Sequence, residues 1–137
     1  MTWYIFPNSI TKLFVSMSML TTLSFDSEIV SYLYGGSKEE MFFEVTNSQK
    51  TLAMKSLKTG IETNLMIVTK KQRYYFEVIN NRKVPHQFIE VKRGKINNSY
   101  KYFKKTSEGR LFKGRSSLML VLKNGNKKYL SAPFEIN

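Results

Sequence analysis

The stretch Glu62-Thr63-Asn64-Leu65-Met66-Ile67-Val68-Thr69, followed directly by Lys70-Lys71-Gln72-Arg73-Tyr74-Tyr75-Phe76-Glu77-Val78, decides how this chain is read. β-Branched and aromatic residues fill it, and such side chains suit a pleated, half-buried surface. Successive side chains in a strand point to opposite faces, so Leu65, Ile67 and Thr69 share one side and Met66 and Val68 the other. Apolar groups on both sides predict a covered, central strand. The second segment sets Tyr74, Phe76 and Val78 against Arg73, Tyr75 and Glu77, which predicts one wet side. Between them Lys70-Lys71-Gln72-Arg73 has the length of a hairpin link, and its charges suit a solvent-facing turn.

Outward from this pair, short strand-like runs recur and almost nothing has a helical repeat. Upstream they are Ile10 to Val15, Thr21 to Phe25, Ile29 to Tyr34 (halted by Gly35-Gly36), Met41 to Val45 and Thr51 to Lys55. Downstream, after a polar link at Asn80-Asn81-Arg82-Lys83, come Val84 to Val91, a turn at Arg93-Gly94-Lys95, and Ile96 to Phe103. Lys104 to Gly114 is basic and weakly patterned, and reads as a mobile loop. Ser117 to Leu122 is the most apolar run. Asn124-Gly125 signals a type I′ hairpin before Lys127 to Leu130, and Pro133 closes the element. Many short strands without a dividing linker predict an all-β fold, an antiparallel β-sandwich or partly open barrel, formed as one domain over residues 1–137.

Composition bounds the function. A hydrophobic fraction of 42% with 14% aromatics supports a packed core, and the absence of cysteine excludes disulfides and thiolate chemistry. The formal charge of +12 is uneven. Residues 1–60 carry five Lys and five Asp or Glu, whereas residues 61–137 carry seventeen Lys or Arg and five Glu. A field of that sign attracts nucleic acid, an anionic membrane or an acidic protein. No run approaches the roughly 20 apolar residues of a membrane span. Met1 to Pro7 lacks a basic leader and a long apolar core, so it makes a poor signal peptide. That leaves a cytoplasmic protein, or a chain beginning after a removed leader.

Candidate reacting groups have bland readings. His86 is the only histidine and lacks the spacing of a metal site, so a surface or locally hydrogen-bonded role is expected. Asp26 and Glu28 could share a side of an extended segment, but turn capping suits Asp26 better than a hydrolytic pair. Glu39-Glu40 reads as a solvated turn, and Gly35-Gly36 lacks the spacing and lysine of a phosphate loop. No nucleophile has an activating neighbour. The expectation is a non-enzyme with no catalytic residue, no metal and no cofactor. The basic–aromatic interleaving carries more. Tyr74, Tyr75, Tyr100, Tyr102 and Phe103 lie near Arg73, Arg93, Lys101, Lys104 and Lys105, the mixture that single-strand nucleic-acid binders use. It also arises in any sheet with one buried aromatic face. Arg93, Lys95, Lys101, Lys104, Lys105, Arg110, Lys113 and Arg115 form the candidate basic interaction surface.

From about Pro7 to Val78 the chain resembles the amino-terminal domain of the VirB9/CagX/TrbG family of type IV secretion and conjugation core complexes. The resemblance rests on Phe6-Pro7-Asn8-Ser9-Ile10, Thr22-Leu23-Ser24-Phe25 leading into Glu28-Ile29-Val30, Gly35, Met41-Phe42-Phe43-Glu44-Val45 and Leu52-Ala53-Met54-Lys55-Ser56. Its most specific part is the opening pair, similar to the family's T-N-L-x-V-x-T followed by R-x-Y-x-F. Within this pair Thr63, Asn64, Leu65, Val68, Thr69, Arg73, Tyr74 and Phe76 are expected to form the structural or interface signature. Ser56 stands where the family has proline, and residues 84–137 lack the W-x-P and Asp-Asp-Gly elements of the family's second domain. The resemblance implies a periplasmic or cell-envelope β-domain that packs in a ring against its own copies and a VirB10-like scaffold. The basic half would then contact an acidic ring neighbour, substrate cargo or an anionic envelope surface. The competing expectation is a small basic β-protein that binds single-stranded nucleic acid.

Overall fold

A computed structural model describes residues 1–81, 84–96 and 99–131, with no helix among them. Among the described residues thirteen strands form three sheets. In chain order they are β1 (Thr2–Ile5), β2 (Ile10–Phe14), β3 (Thr21–Phe25), β4 (Ile29–Tyr34), β5 (Met41–Val45), β6 (Thr51–Ser56) and β7 (Glu62–Thr69). They continue with β8 (Arg73–Ile79), β9 (Phe88–Arg93), β10 (Lys101–Lys105), β11 (Gly109–Lys113), β12 (Leu118–Leu122) and β13 (Lys127–Leu130). The five-stranded sheet runs β1-β9-β3-β6-β5, one four-stranded sheet runs β2-β8-β7-β4, and the other is the meander β10-β11-β12-β13.

The all-β expectation holds; the antiparallel one does not. β1 and β3 both pair with β9 in parallel, and β2 pairs with β8 in parallel, so the first two sheets are mixed. The cause is connectivity. The chain crosses from one mixed sheet to the other at β1–β2, β2–β3, β3–β4, β4–β5, β6–β7 and β8–β9, and only β5–β6 and β7–β8 are hairpins within a sheet. A strand that returns by way of the other sheet is free to arrive in the same direction as its neighbour, which a tight hairpin forbids. No sheet closes into a barrel, since each has two distinct edge strands.

One hydrophobic cluster draws on both mixed sheets. Trp3, Ile5, Leu23, Phe25, Leu52, Met54, Ile89 and Val91 come from the five-stranded sheet; Leu13, Leu65, Ile67, Tyr74, Phe76 and Val78 come from β2, β7 and β8. The face of each sheet that supplies these residues is called inner below. The meander has its own small cluster of Leu111, Leu118 and Leu120, with Leu122 and Leu130 packed against it. Residues 84–131 are therefore divided: β9 enters the middle of the five-stranded sheet, while β10 to β13 form a separate one.

Several boundaries move. β1 occupies the opening read only as a weak leader. The run expected from Val84 starts as a strand at Phe88, because Pro85 offers no N–H and His86 is held by β2 instead. The expected mobile loop from Lys104 to Gly114 contains the end of β10 and all of β11. Its weak pattern hid a short strand with Gly109 and Leu111 facing inward. A Cβ at Gly109 would lie 2.1 Å from the Val121 carbonyl oxygen, so the glycine permits close approach to β12. The β12–β13 hairpin forms, but not as type I′. Gly125 has φ of 89°, Asn124 is not in the positive-φ region, and the Gly125 N–H donates to the Leu122 carbonyl. Arg82, Lys83, Asn97, Asn98 and Pro133, named in the sequence reading, lie outside the described residues.

Candidate interaction surfaces

The β7–β8 hairpin places its signature residues on two sides. Leu65, Thr69, Tyr74 and Phe76 are buried and Thr63 is half-buried on the inner side; Asn64, Val68 and Arg73 lie on the outer side. β7 is interior to its sheet as expected, flanked by β8 and β4, but its outer side is not fully covered: Asn64 is exposed and Met66 and Val68 are half-buried. Burial pushes the Tyr74 hydroxyl up to about 12, aided by Asp26 and opposed by Arg93, so it stays neutral at physiological pH.

The hairpin turn is more than a solvated link. Thr69 Oγ1 donates to the Gln72 carbonyl (3.0 Å) and accepts from the backbone N–H groups of Gln72 (3.1 Å) and Lys71 (3.3 Å). Gln72 is buried, and its Nε2 donates to the Ile5 carbonyl at 3.2 Å, docking the turn on β1. Lys70 and Lys71 reach Glu28 (2.9 Å) and Asp26 (3.6 Å) in the β3–β4 turn. Hydrogen bonding and charge from Lys70 hold the Glu28 carboxyl below its usual range. The acidic pair thus braces two turns. Thr69→Val keeps the shape but orphans the buried Gln72 N–H, and is expected to lower unfolding free energy by about 2 kcal/mol. Urea titration followed by Trp3 fluorescence checks this, and an unchanged midpoint would contradict it.

The surface or locally hydrogen-bonded role expected of His86 does not hold: half-buried, it ties the β8–β9 link to β2, 72 residues away. Its Nδ1 accepts from the Phe14 N–H at 3.0 Å, its own N–H donates to the Phe14 carbonyl, and its ring packs edge-on against Trp3. Glu40 accepts from the Tyr34 hydroxyl at 2.8 Å and pairs with Lys58 at 3.3 Å. Among the described residues, no three His, Cys, Asp or Glu side chains group as metal ligands. No helix there is long and apolar enough to cross a membrane.

The outer faces of the two mixed sheets differ. On the five-stranded sheet, register aligns Phe88, Thr22, Ala53 and Glu44 in one row, Phe88 being 72% exposed, and Ser24 with Thr51 and Glu90 in another. On the four-stranded sheet, Ile10, Tyr75, Met66 and Leu33 are successive partners across β2, β8, β7 and β4. Ile10 is 72% exposed and Leu33 63%, and a groove of about 370 Å³ lies along this row. The flanking rows are Lys12, Glu77 and Asn64 on one side, all polar, and on the other Arg73 and Ser31 with Val68 between them. The sequence reading did not single out this row. Its members are spread over 66 residues, and only register brings them together.

The eight candidate cations do not form one patch. Arg93 ends β9, and Lys95 lies in the link to β10, where Ser116 Oγ donates to its carbonyl and accepts from its N–H. Arg115 is exposed between β11 and β12. In the meander, Lys101 and Lys113 share the side of the leucine cluster, and a register shift after Tyr102 puts Lys104 opposite Leu111. Lys105 and Arg110 lie on the other, open side, joined by Lys127, which the sequence reading had not picked out.

No family model matches the chain, and no curated protein matches it at a significant level.

Proposed function

We propose that this protein is a structural assembly module of the VirB9/CagX/TrbG kind, a periplasmic or envelope-associated β-domain that packs against its own copies and against a VirB10-like scaffold. We also infer that the two mixed sheets act as the layers of a sandwich, a reading supported by their common hydrophobic cluster. One observation carries the assembly role. The apolar row Ile10–Tyr75–Met66–Leu33 crosses the outer face of the hairpin that bears the resemblance, and Lys12, Glu77 and Asn64 on one side and Arg73 and Ser31 on the other border it. An apolar centre within a polar rim is the anatomy of a protein interface. On the opposite sheet the exposed Phe88 shares its row with Thr22, Ala53 and Glu44, so the apolar surface there is interrupted.

Sedimentation of the purified chain over a range of concentrations tests the self-association, and Leu33→Lys is the decisive variant. The wild type is expected to associate, and the variant to dissociate at least about tenfold more readily. Its unfolding midpoint should stay within about 0.5 kcal/mol, since the side chain is largely exposed. Electron microscopy of the chain co-expressed with a scaffold protein extends the test to rings. A chain that stays monomeric at every concentration and forms no ring on co-expression would overturn the reading.

A further inference from the structure

The open side of the β10–β13 meander carries two parallel rows of different chemistry. Tyr102, Phe112, Met119 and Tyr129 are successive partners across all four strands. The next row on that side is Lys105, Arg110, Val121 and Lys127. Every buried side chain of the meander's core, Leu111, Leu118 and Leu120, points the other way, so neither row belongs to a core.

The rows are held in place. Tyr102 meets Phe112 edge to face with centroids 5.8 Å apart, and the Arg110 guanidinium lies 5.8 Å from the Phe112 centroid. Tyr129 packs on Tyr100, whose hydroxyl hydrogen-bonds Ser117 Oγ at 2.7 Å. Tyr102 remains 58% exposed and Phe112, Met119 and Tyr129 are half-buried, while Lys105, Arg110 and Lys127 are exposed. Among the described residues none of these three cations lies within ion-pair distance of a carboxylate. Residues 99–131 hold nine Lys or Arg against the single Glu108.

Strands lie about 4.8 Å apart, so the aromatic row spans about 14 Å. That is room for two or three unstacked bases, the number that a four-stranded sheet with exposed aromatics accepts. The two rows are two residues apart along β11, β12 and β13, about 7 Å, and three apart along β10 where the register shifts, which places cations where a phosphodiester chain beside the bases would run. A duplex hides its base faces, and an acidic polypeptide has none to offer. We infer that this side of the meander binds a single strand of nucleic acid, with Tyr102 and its row stacking on bases and Lys105, Arg110 and Lys127 meeting phosphates. The site uses a different sheet from the assembly face, so each reading can fail without the other.

Fluorescence anisotropy of labelled fifteen-nucleotide oligo-dT and oligo-U with the full chain tests it, with a duplex, heparin and polyglutamate as competitors. Expected is saturable binding of one or both oligonucleotides, falling with salt at a log–log slope of about −2 for three phosphate contacts. Tyr102→Ala should weaken binding about tenfold with the slope unchanged, because it removes a stacking face and no charge. Lys105→Glu should weaken binding and flatten the slope, whereas Lys38→Glu, on the exposed β4–β5 link, should alter neither. Circular dichroism of each variant confirms folding. No saturable binding of either oligonucleotide would overturn the inference. So would equal binding of duplex, heparin or polyglutamate, or Tyr102→Ala binding as the wild type does.

Discussion

Phe76→Ala is expected to lower the unfolding free energy by about 3–5 kcal/mol. Phe76 is fully buried at the centre of β8, with Thr11 of β2 on one side and Leu65 of β7 on the other. Its ring lies in the cluster shared by both mixed sheets, so truncation leaves a cavity that neither sheet can fill without shifting the other. A loss of that size is a large part of the roughly 5–15 kcal/mol that holds a domain together. The only tryptophan, Trp3, is 4% exposed in the same cluster and gives the readout in a urea titration. Val84→Ala, at an exposed position outside any strand, should stay within about 0.5 kcal/mol of wild type. Equal effects at the two positions would mean that the shared cluster is not the core.

Gly109→Ala is expected to destabilise the meander by about 3 kcal/mol while leaving the Trp3 transition nearly unmoved. The added methyl would meet backbone, the Val121 carbonyl oxygen at 2.1 Å and Leu122 Cα at 3.0 Å, and backbone cannot turn aside as a long side chain can. Relief requires separating β11 from β12, on which the cluster of Leu111, Leu118 and Leu120 depends. Hydrogen exchange resolves the outcome by segment. Amides of β10 to β13 should lose protection, and those of β3, β7 and β8 should keep it. Uniform loss across the chain would show that the two clusters unfold together.

Local chemistry was legible where it sufficed. The bounds of β3, β4, β5, β8 and β13 follow from alternating side chains and flanking turn residues. β1 was missed because four residues, two of them pointing inward, give too short a pattern beside Pro7. β11 was missed because Arg110 and Lys113 masked the inward alternation of Gly109 and Leu111. Parallel pairing had no local signal, since β1 meets β9 across more than eighty residues. The candidate surfaces divide in the same way. The positive charge was legible, but the face each cation occupies depends on the register shift between Tyr102 and Lys104. The apolar row of Ile10, Tyr75, Met66 and Leu33 exists only once four distant strands are aligned.

The place of β9 has a consequence for synthesis. Ribosomes deliver the chain from its amino terminus, and β1 and β3 emerge long before the strand that joins them. Until Arg93 has left the exit tunnel, β1 has no partner strand and one edge of β3 is bare. Such edges invite pairing with other chains. Closing the gap is a late, long-range event of the slow kind. A fragment ending at Ile79 would carry the whole β7–β8 hairpin and still lack the strand that completes the larger sheet.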